Sequence, residues 1–122
     1  MNNEFDPTGK KPNSDGAKLD GGKPCIRTGV IEYFPRALIA FAEVSEYGAK
    51  KYLWNGWESV PDGIRRYGDA GMRHAIKAKI EGETDSESGL LHSAQEAWNA
   101  LARLELILID KGKKAIEAKK IE

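Results

Sequence analysis

Residues 87 to 110 carry Leu, Ala, Trp and Ile around almost the whole circumference of a helix, interrupted by one polar strip of His92, Glu96, Asn99 and Arg103. With each residue advancing about 100°, these four fall on one arc of about 60°. A helix apolar on most sides has to be surrounded by other elements, so it is expected to be the central, most buried helix of a bundle. The strip stops where Leu106 and Ile107 take over the same arc. A solvated face does not normally end so abruptly, so the strip points to a wet pocket between helices, where bundle sites are built. An exposed stripe near the helix start is the competing reading.

Two further helices supply the surroundings. Pro35 suits a first helical position, and residues 35 to 52 place Leu38, Phe41, Ala42 and Tyr52 on one side. Asn55-Gly56 and Pro61-Asp62-Gly63 then break the period and leave Trp54 and Trp57 on a connecting loop, as core plugs or as a platform for a nucleobase. Asp62 is a good N-cap for a helix that runs to a stop at Gly82, and its internal Gly68 and Gly71 predict close packing on a neighbour. Thr84-Asp85-Ser86-Glu87 has the spacing of a capping box and predicts that the central helix starts near 87. No stretch alternates with the period of a strand, so the class is all-α.

The start of the chain reads differently. Residues 1 to 19 mix Gly, Pro, Asn, Asp and Lys with little apolar content and are expected to form a flexible N-terminal arm. The segment Asp20-Gly21-Gly22-Lys23-Pro24 suits either a loop that clasps an anion or a plain linker. The folded domain is expected over 20–112, followed by a charged, helix-prone extension over 113–122.

Composition narrows the partners. Lys plus Arg and Asp plus Glu stand at 19 each, so no overall basic field is available to hold a nucleic-acid backbone. The one cysteine, Cys25, and the two histidines, His74 and His92, have no zinc-finger spacing. No apolar run approaches a membrane span, and the polar first residues lack the hydrophobic stretch of a signal peptide. A cytoplasmic protein with no membrane and no nucleic-acid partner is expected.

Several polar groups share faces. Glu43 and Glu46, three residues apart, lie on one side of the first helix with Lys50 a turn further on, and two carboxylates so spaced can ligate a hard divalent cation together. A solvated helix face is the ordinary alternative. Arg66, Asp69 and Arg73 form a stripe on the second helix, where Asp69 can complete a metal site and the arginine forks suit phosphate oxygens. His74 points away from that stripe and is expected to be a satisfied core histidine or a support for other groups.

The ordered series DGGKP (20 to 24), EYGAKKY (46 to 52), a Trp-rich loop, RYGDAGMRHAI (66 to 76) and GETDSESGLLHSAQEAWNAL (82 to 101) resembles the bacterial and phage dATP/dGTP diphosphohydrolases among the MazG-like, all-α nucleoside triphosphate pyrophosphatases. It is particularly similar to the dGTP-hydrolysing enzymes of phages that replace adenine with 2-aminoadenine, where dGMP feeds the modified nucleotide. The resemblance implies a purine deoxynucleoside triphosphate as substrate, the monophosphate and pyrophosphate as products, Mg²⁺ or Mn²⁺ as cofactor, and a homodimer or homotetramer in the host cytoplasm.

It also implies roles. The usual metal pattern is Glu-x-x-Glu on one helix and Glu-x-x-Asp on a later one. Glu43 and Glu46 match the first half, as metal ligands and catalytic carboxylates. The second half departs: Arg66-x-x-Asp69 keeps the aspartate and Glu96-x-x-Asn99 keeps the glutamate, so either Asp69 or Glu96 completes the set. Cys25 stands where the family commonly has a basic residue, and Arg27 is the candidate replacement. Lys23, Lys50, Lys51 and Arg73 are expected to neutralise phosphates, with Trp57, His92 and Asn99 bordering the rest of the substrate. A small helical protein-interaction module without catalysis is the alternative from another class.

Overall fold

The computed structural model describes residues 3–112 and 119–121. Three long helices dominate: α1 over Pro35–Lys51, α2 over Gly63–Glu81 and α3 over His92–Asp110. A π-helical turn, Arg27–Ile31, precedes α1, and a 3₁₀ turn, Gly56–Ser59, joins α1 to α2. No strand occurs among the described residues, where the one extended pairing is an isolated bridge between Thr84 and Leu91. The all-α expectation holds, and α1 and α2 begin and end within a residue of the sequence reading. Most of the charged extension, residues 113–118 and 122, lies outside the described residues.

Helix ends follow local chemistry. Pro35 opens α1, whose last turn carries Lys50 and Lys51 where the helix dipole favours cations. Asp62 does precede α2, but its carboxylate makes no capping hydrogen bond; the residue is left-handed, with φ 56°, and its side chain accepts from Arg65 Nε at 2.5 Å. Gly82, with φ 96°, ends α2 by donating its N–H to Ala78 O.

The capping box at Thr84–Glu87 is not formed. Instead, residues 84 to 91 make a tight return: Asp85 N–H donates to Leu90 O at 2.8 Å, and His92 N–H donates to Glu83 O at 2.7 Å. The cause is Asp85, whose carboxylate accepts from Glu87 N–H (3.0 Å) and from the Ser88 hydroxyl (3.2 Å) and so folds the segment on itself. The central helix therefore starts at His92.

Packing of α2 on α3 uses the glycines. A Cβ on Gly63 would stand 2.8 Å from Leu106 Cδ1, one on Gly68 3.3 Å from Arg103 Cδ, and one on Gly71 3.4 Å from Asn99 Cβ. As the number rises on α2 it falls on α3, so the two helices are antiparallel. The polar strip of α3 thus lies largely on the glycine face of α2 and does not line a wet pocket along its length. Close approach of the backbones explains why glycine is tolerated inside α2 despite its cost in helix propensity. α1 is tied to α3 by Trp98 Nε1–H donating to Ser45 Oγ at 2.9 Å.

Apolar burial is slight. Among the described residues, Val44 and Ala102 are the buried apolar side chains, whereas Asp6, Asp85, His92, Gln95 and Asn99 are buried polar ones. α3 contacts both other helices, as expected of a central helix, yet Leu101 and Leu104 remain about half exposed. In the arm, Asp6 accepts from the Thr8 N–H and hydroxyl and from Lys18 N–H, and Gly21 N–H reaches Phe5 O, so residues 5–21 are looped around one carboxylate.

Candidate functional site

Three aromatic residues from three elements meet edge to face: Trp57 on the 3₁₀ turn, Tyr67 on α2 and Trp98 on α3, with ring centroids 5.7 to 6.3 Å apart. The Tyr67 hydroxyl donates to Trp57 O at 2.7 Å, and burial pushes its pKa up. Beside this cluster lies a cavity of about 940 Å³, of a size that takes a small-molecule ligand. Its walls are mostly apolar, with Trp54, Trp57 and Trp98 among them, while Lys51, Arg66 and Arg73 bring positive charge to it.

A second, smaller cavity of about 270 Å³ adjoins it. The two share Tyr47, Lys51, Arg73 and His74, and the smaller is otherwise polar, lined by Lys77, Asp85 and Gln95 among others. An aromatic cavity thus lies beside a polar one, and the wall they share carries two cations, Lys51 and Arg73.

The polar chamber rests on a buried hydrogen-bond network where α2 ends and α3 begins. His92, 1% exposed, has Nε2 2.6 Å from Glu81 Oε1 and Nδ1 2.9 Å from His74 Nδ1. A carboxylate can only accept, so His92 carries a proton on Nε2, and one further proton lies between the two Nδ1 atoms. The hydrogen bond from His92, with those of Ser86, keeps the Glu81 carboxyl below its ordinary pKa. Burial pushes the His74 imidazole down, against the pull of the Asp85 charge.

Asp85 is held on every side. Besides Glu87 N–H and Ser88, its oxygens accept from Gln95 Nε2 at 3.1 Å and Lys77 Nζ at 3.3 Å. Burial by itself would raise this carboxyl, but the four donors outweigh it and hold the group well below the usual carboxylate range.

Of the residues expected from sequence, Lys51, Trp57, Arg73 and Asn99 line the larger cavity, and Lys51 and Arg73 line both. His92 is corrected: it is too buried to border a base and belongs to neither cavity wall, because Glu81 and His74 hold it in the network. Glu43, Glu46 and Lys50 are exposed on α1 and line neither cavity. Lys23 faces Glu4 at 3.6 Å within the arm, and Asp69 is bound by Arg65 at 3.0 Å. Glu96 is half-buried on α3, with its carbonyl near Gly71.

His74 and Asp85 were not expected in the site. The available signal was topological: the chain's two histidines lie near the end of one helix and the start of the next, and an antiparallel hairpin brings such positions together.

The site is an open, aromatic-walled cavity with Lys51, Arg66 and Arg73 at its edge, on an all-α scaffold. The chain belongs to the dATP/dGTP diphosphohydrolase family: the model of that family's N-terminal domain matches residues 13–116. No curated protein and no solved structure matches it. The family is one of hydrolases of purine nucleotides, so the chain is an enzyme of that type. No helix among the described residues is long and apolar enough to cross a membrane.

The family's chemistry implies a divalent cation, for which Glu43, Glu46, Asp69 and Glu96 are the expected ligands. Among the described residues, Glu43, Glu46 and either Asp69 or Glu96 form no set whose oxygens lie within 4.8 Å of one another; the set that does is His74, Asp85 and His92. The four carboxylates of one chain do not fit an ion together as they stand.

Proposed function

We propose that the protein hydrolyses dGTP, and dATP as a second substrate, to the nucleoside monophosphate and pyrophosphate in the remodelling of a phage nucleotide pool. The observation that carries this reading is that an aromatic cavity and a polar one share Lys51 and Arg73 in their walls. A purine suits the aromatic cavity, where Trp54 is an exposed part of the lining and Trp57 braces the wall. The triphosphate then extends toward the shared wall. There the Arg73 guanidinium can take two phosphate oxygens at once, and Lys51 adds a point charge. Charge developing on departing pyrophosphate falls to these two groups.

The bond that breaks tests the reaction. With dGTP in H₂¹⁸O, the label is expected in dGMP, with pyrophosphate unlabelled, because water attacks the α-phosphorus. Orthophosphate with dGDP as first products would overturn the proposal, as would label in pyrophosphate.

A divalent cation, Mg²⁺ or Mn²⁺, and the carboxylates Glu43 and Glu46 belong to this proposal through an assembly. Since nothing among the described residues of one chain completes a set with them, their further ligands would come from a second copy. Self-association is supported by α2, where Met72, Ile76 and Ile80 follow one another along one side and are 59%, 61% and 80% exposed. A chain that buries so few apolar side chains gains much by pairing such a stripe, as a homodimer or homotetramer. Ile76→Asp is expected to leave single chains in light scattering and to abolish turnover. A wild-type protein that already runs as a single active chain would remove the assembly.

A further inference from the structure

We infer that His74, Asp85 and His92 form a binding site for one nitrogen-preferring divalent transition ion, of the class of Zn²⁺ or Co²⁺, distinct from the carboxylates of α1. The inference stands on the geometry of the hairpin and does not depend on the reaction proposed above.

The ligand atoms are Nδ1 of each histidine and an oxygen of Asp85, all within 4.8 Å of one another. Two nitrogens each about 2.05 Å from one tetrahedral ion stand roughly 3.3 Å apart. His74 Nδ1 and His92 Nδ1 are hydrogen-bonded at 2.9 Å, so the two rings part by a few tenths of an ångström to admit it. Asp85 Oδ2 lies 3.9 Å from His74 Nδ1, so a side-chain shift of roughly 0.5 to 1 Å closes the third edge.

Two imidazoles among three donors select against Mg²⁺, which takes oxygen ligands, and favour a borderline ion. The surroundings are those of a supported ligand set. Glu81 accepts from His92 Nε2–H at 2.6 Å, which fixes the ring with Nδ1 turned to the site, in the carboxylate–histidine arrangement that orients metal ligands. Gln95 and Ser88 donate to the same Asp85 oxygen that faces His74, Oδ2, so they orient it and the ion shares it with them.

One proton lies between the two Nδ1 atoms, and it has to leave that position for the ion to take both nitrogens. Lys77 is the opposing group: its ammonium stands 3.3 Å from Asp85 Oδ1 and 3.8 Å from Glu81 Oε1 and repels a second cation.

The experiment titrates chelator-treated, full-length protein with Zn²⁺ by calorimetry and with Co²⁺ by visible absorption, with Mg²⁺ as competitor. One ion per chain is expected, with a Co²⁺ absorption band that Mg²⁺ does not displace. His74→Gln should weaken binding by more than about a hundredfold and Glu81→Gln by about 10- to 100-fold. Lys77→Met should tighten it, a gain that misfolding cannot produce. Failure of wild-type protein to bind either ion overturns the site. So does binding unchanged in His74→Gln with native helix content, or binding that is lost instead in Glu43→Gln.

Discussion

Arg73→Met is expected to lower kcat/KM for dGTP by about 10²- to 10³-fold while leaving the helix content unchanged. Arg73 belongs to the walls of both cavities, where the proposed triphosphate would pass from the aromatic side to the polar one. Its guanidinium is exposed on α2 and builds none of the α2–α3 packing, which runs through Gly63, Gly68 and Gly71. Methionine keeps most of the stem's volume and removes the charge and the fork. A phosphate group that had two directed donors is then left with Lys51 alone, which also stands 5.5 Å from the ring centres of Tyr47 and Tyr52. Arg73→Lys should recover part of the loss, because the charge returns without the bidentate geometry. The split between constants locates the effect: a rise in KM alone means that Arg73 grips the ground state, whereas a fall in kcat means that it holds the charge of the leaving pyrophosphate. A change below about threefold in kcat/KM would remove Arg73 from the substrate site.

What could be read in advance was what depends on neighbours in sequence. Pro35, the Asn55-Gly56 break, Asp62 and Gly82 set the limits of α1 and α2 because each acts on its own backbone. The two internal glycines of α2 announced a close neighbour, and that neighbour proved to be α3. The start of α3 was misjudged because Thr84 and Glu87 have the spacing of a cap, while Asp85 between them has stronger claims. Its carboxylate is satisfied by Gln95, ten residues on, and by Lys77, eight residues back, and neither pairing can be seen until the hairpin closes.

The site divides in the same way. Lys51, Trp57, Arg73 and Asn99 were assigned to substrate from residue type and helical face, and the fold brings them to the wall of one cavity. For Glu43 and Glu46, spacing showed that they share a face but not which way it points. Val44 and Ser45 turn toward α3, which leaves the two glutamates outward on a single chain. His92 shared its arc with Asn99, yet the first turn of α3 is also the end of the hairpin, so Glu81 and His74 claimed it.

Asp85→Asn is expected to destabilise the fold by about 2 to 3 kcal/mol, which for a chain of this size lowers Tm on the order of 10 °C. The carboxylate of Asp85 is a pure acceptor surrounded by donors: Glu87 N–H and Lys77 at one oxygen, Ser88 and Gln95 at the other. An amide of the same shape offers one acceptor and one NH₂. Whichever way it turns, that NH₂ faces two donors; the serine hydroxyl can rotate, but a backbone N–H, an ammonium or the Gln95 amide cannot become an acceptor without moving. The residue is 3% exposed, so water cannot repair the mismatch, and the ammonium of Lys77 also loses its closest counter-charge. The damage should be local at first. Asp85 ties the return between α2 and α3, so hydrogen exchange at the amides of Glu87, Gly89 and His92 should accelerate before that of mid-helix α1. A melting point within about 2 °C of wild type would show that the four hydrogen bonds contribute little beyond what Asn can keep, and that the hairpin is held chiefly by its glycine packing.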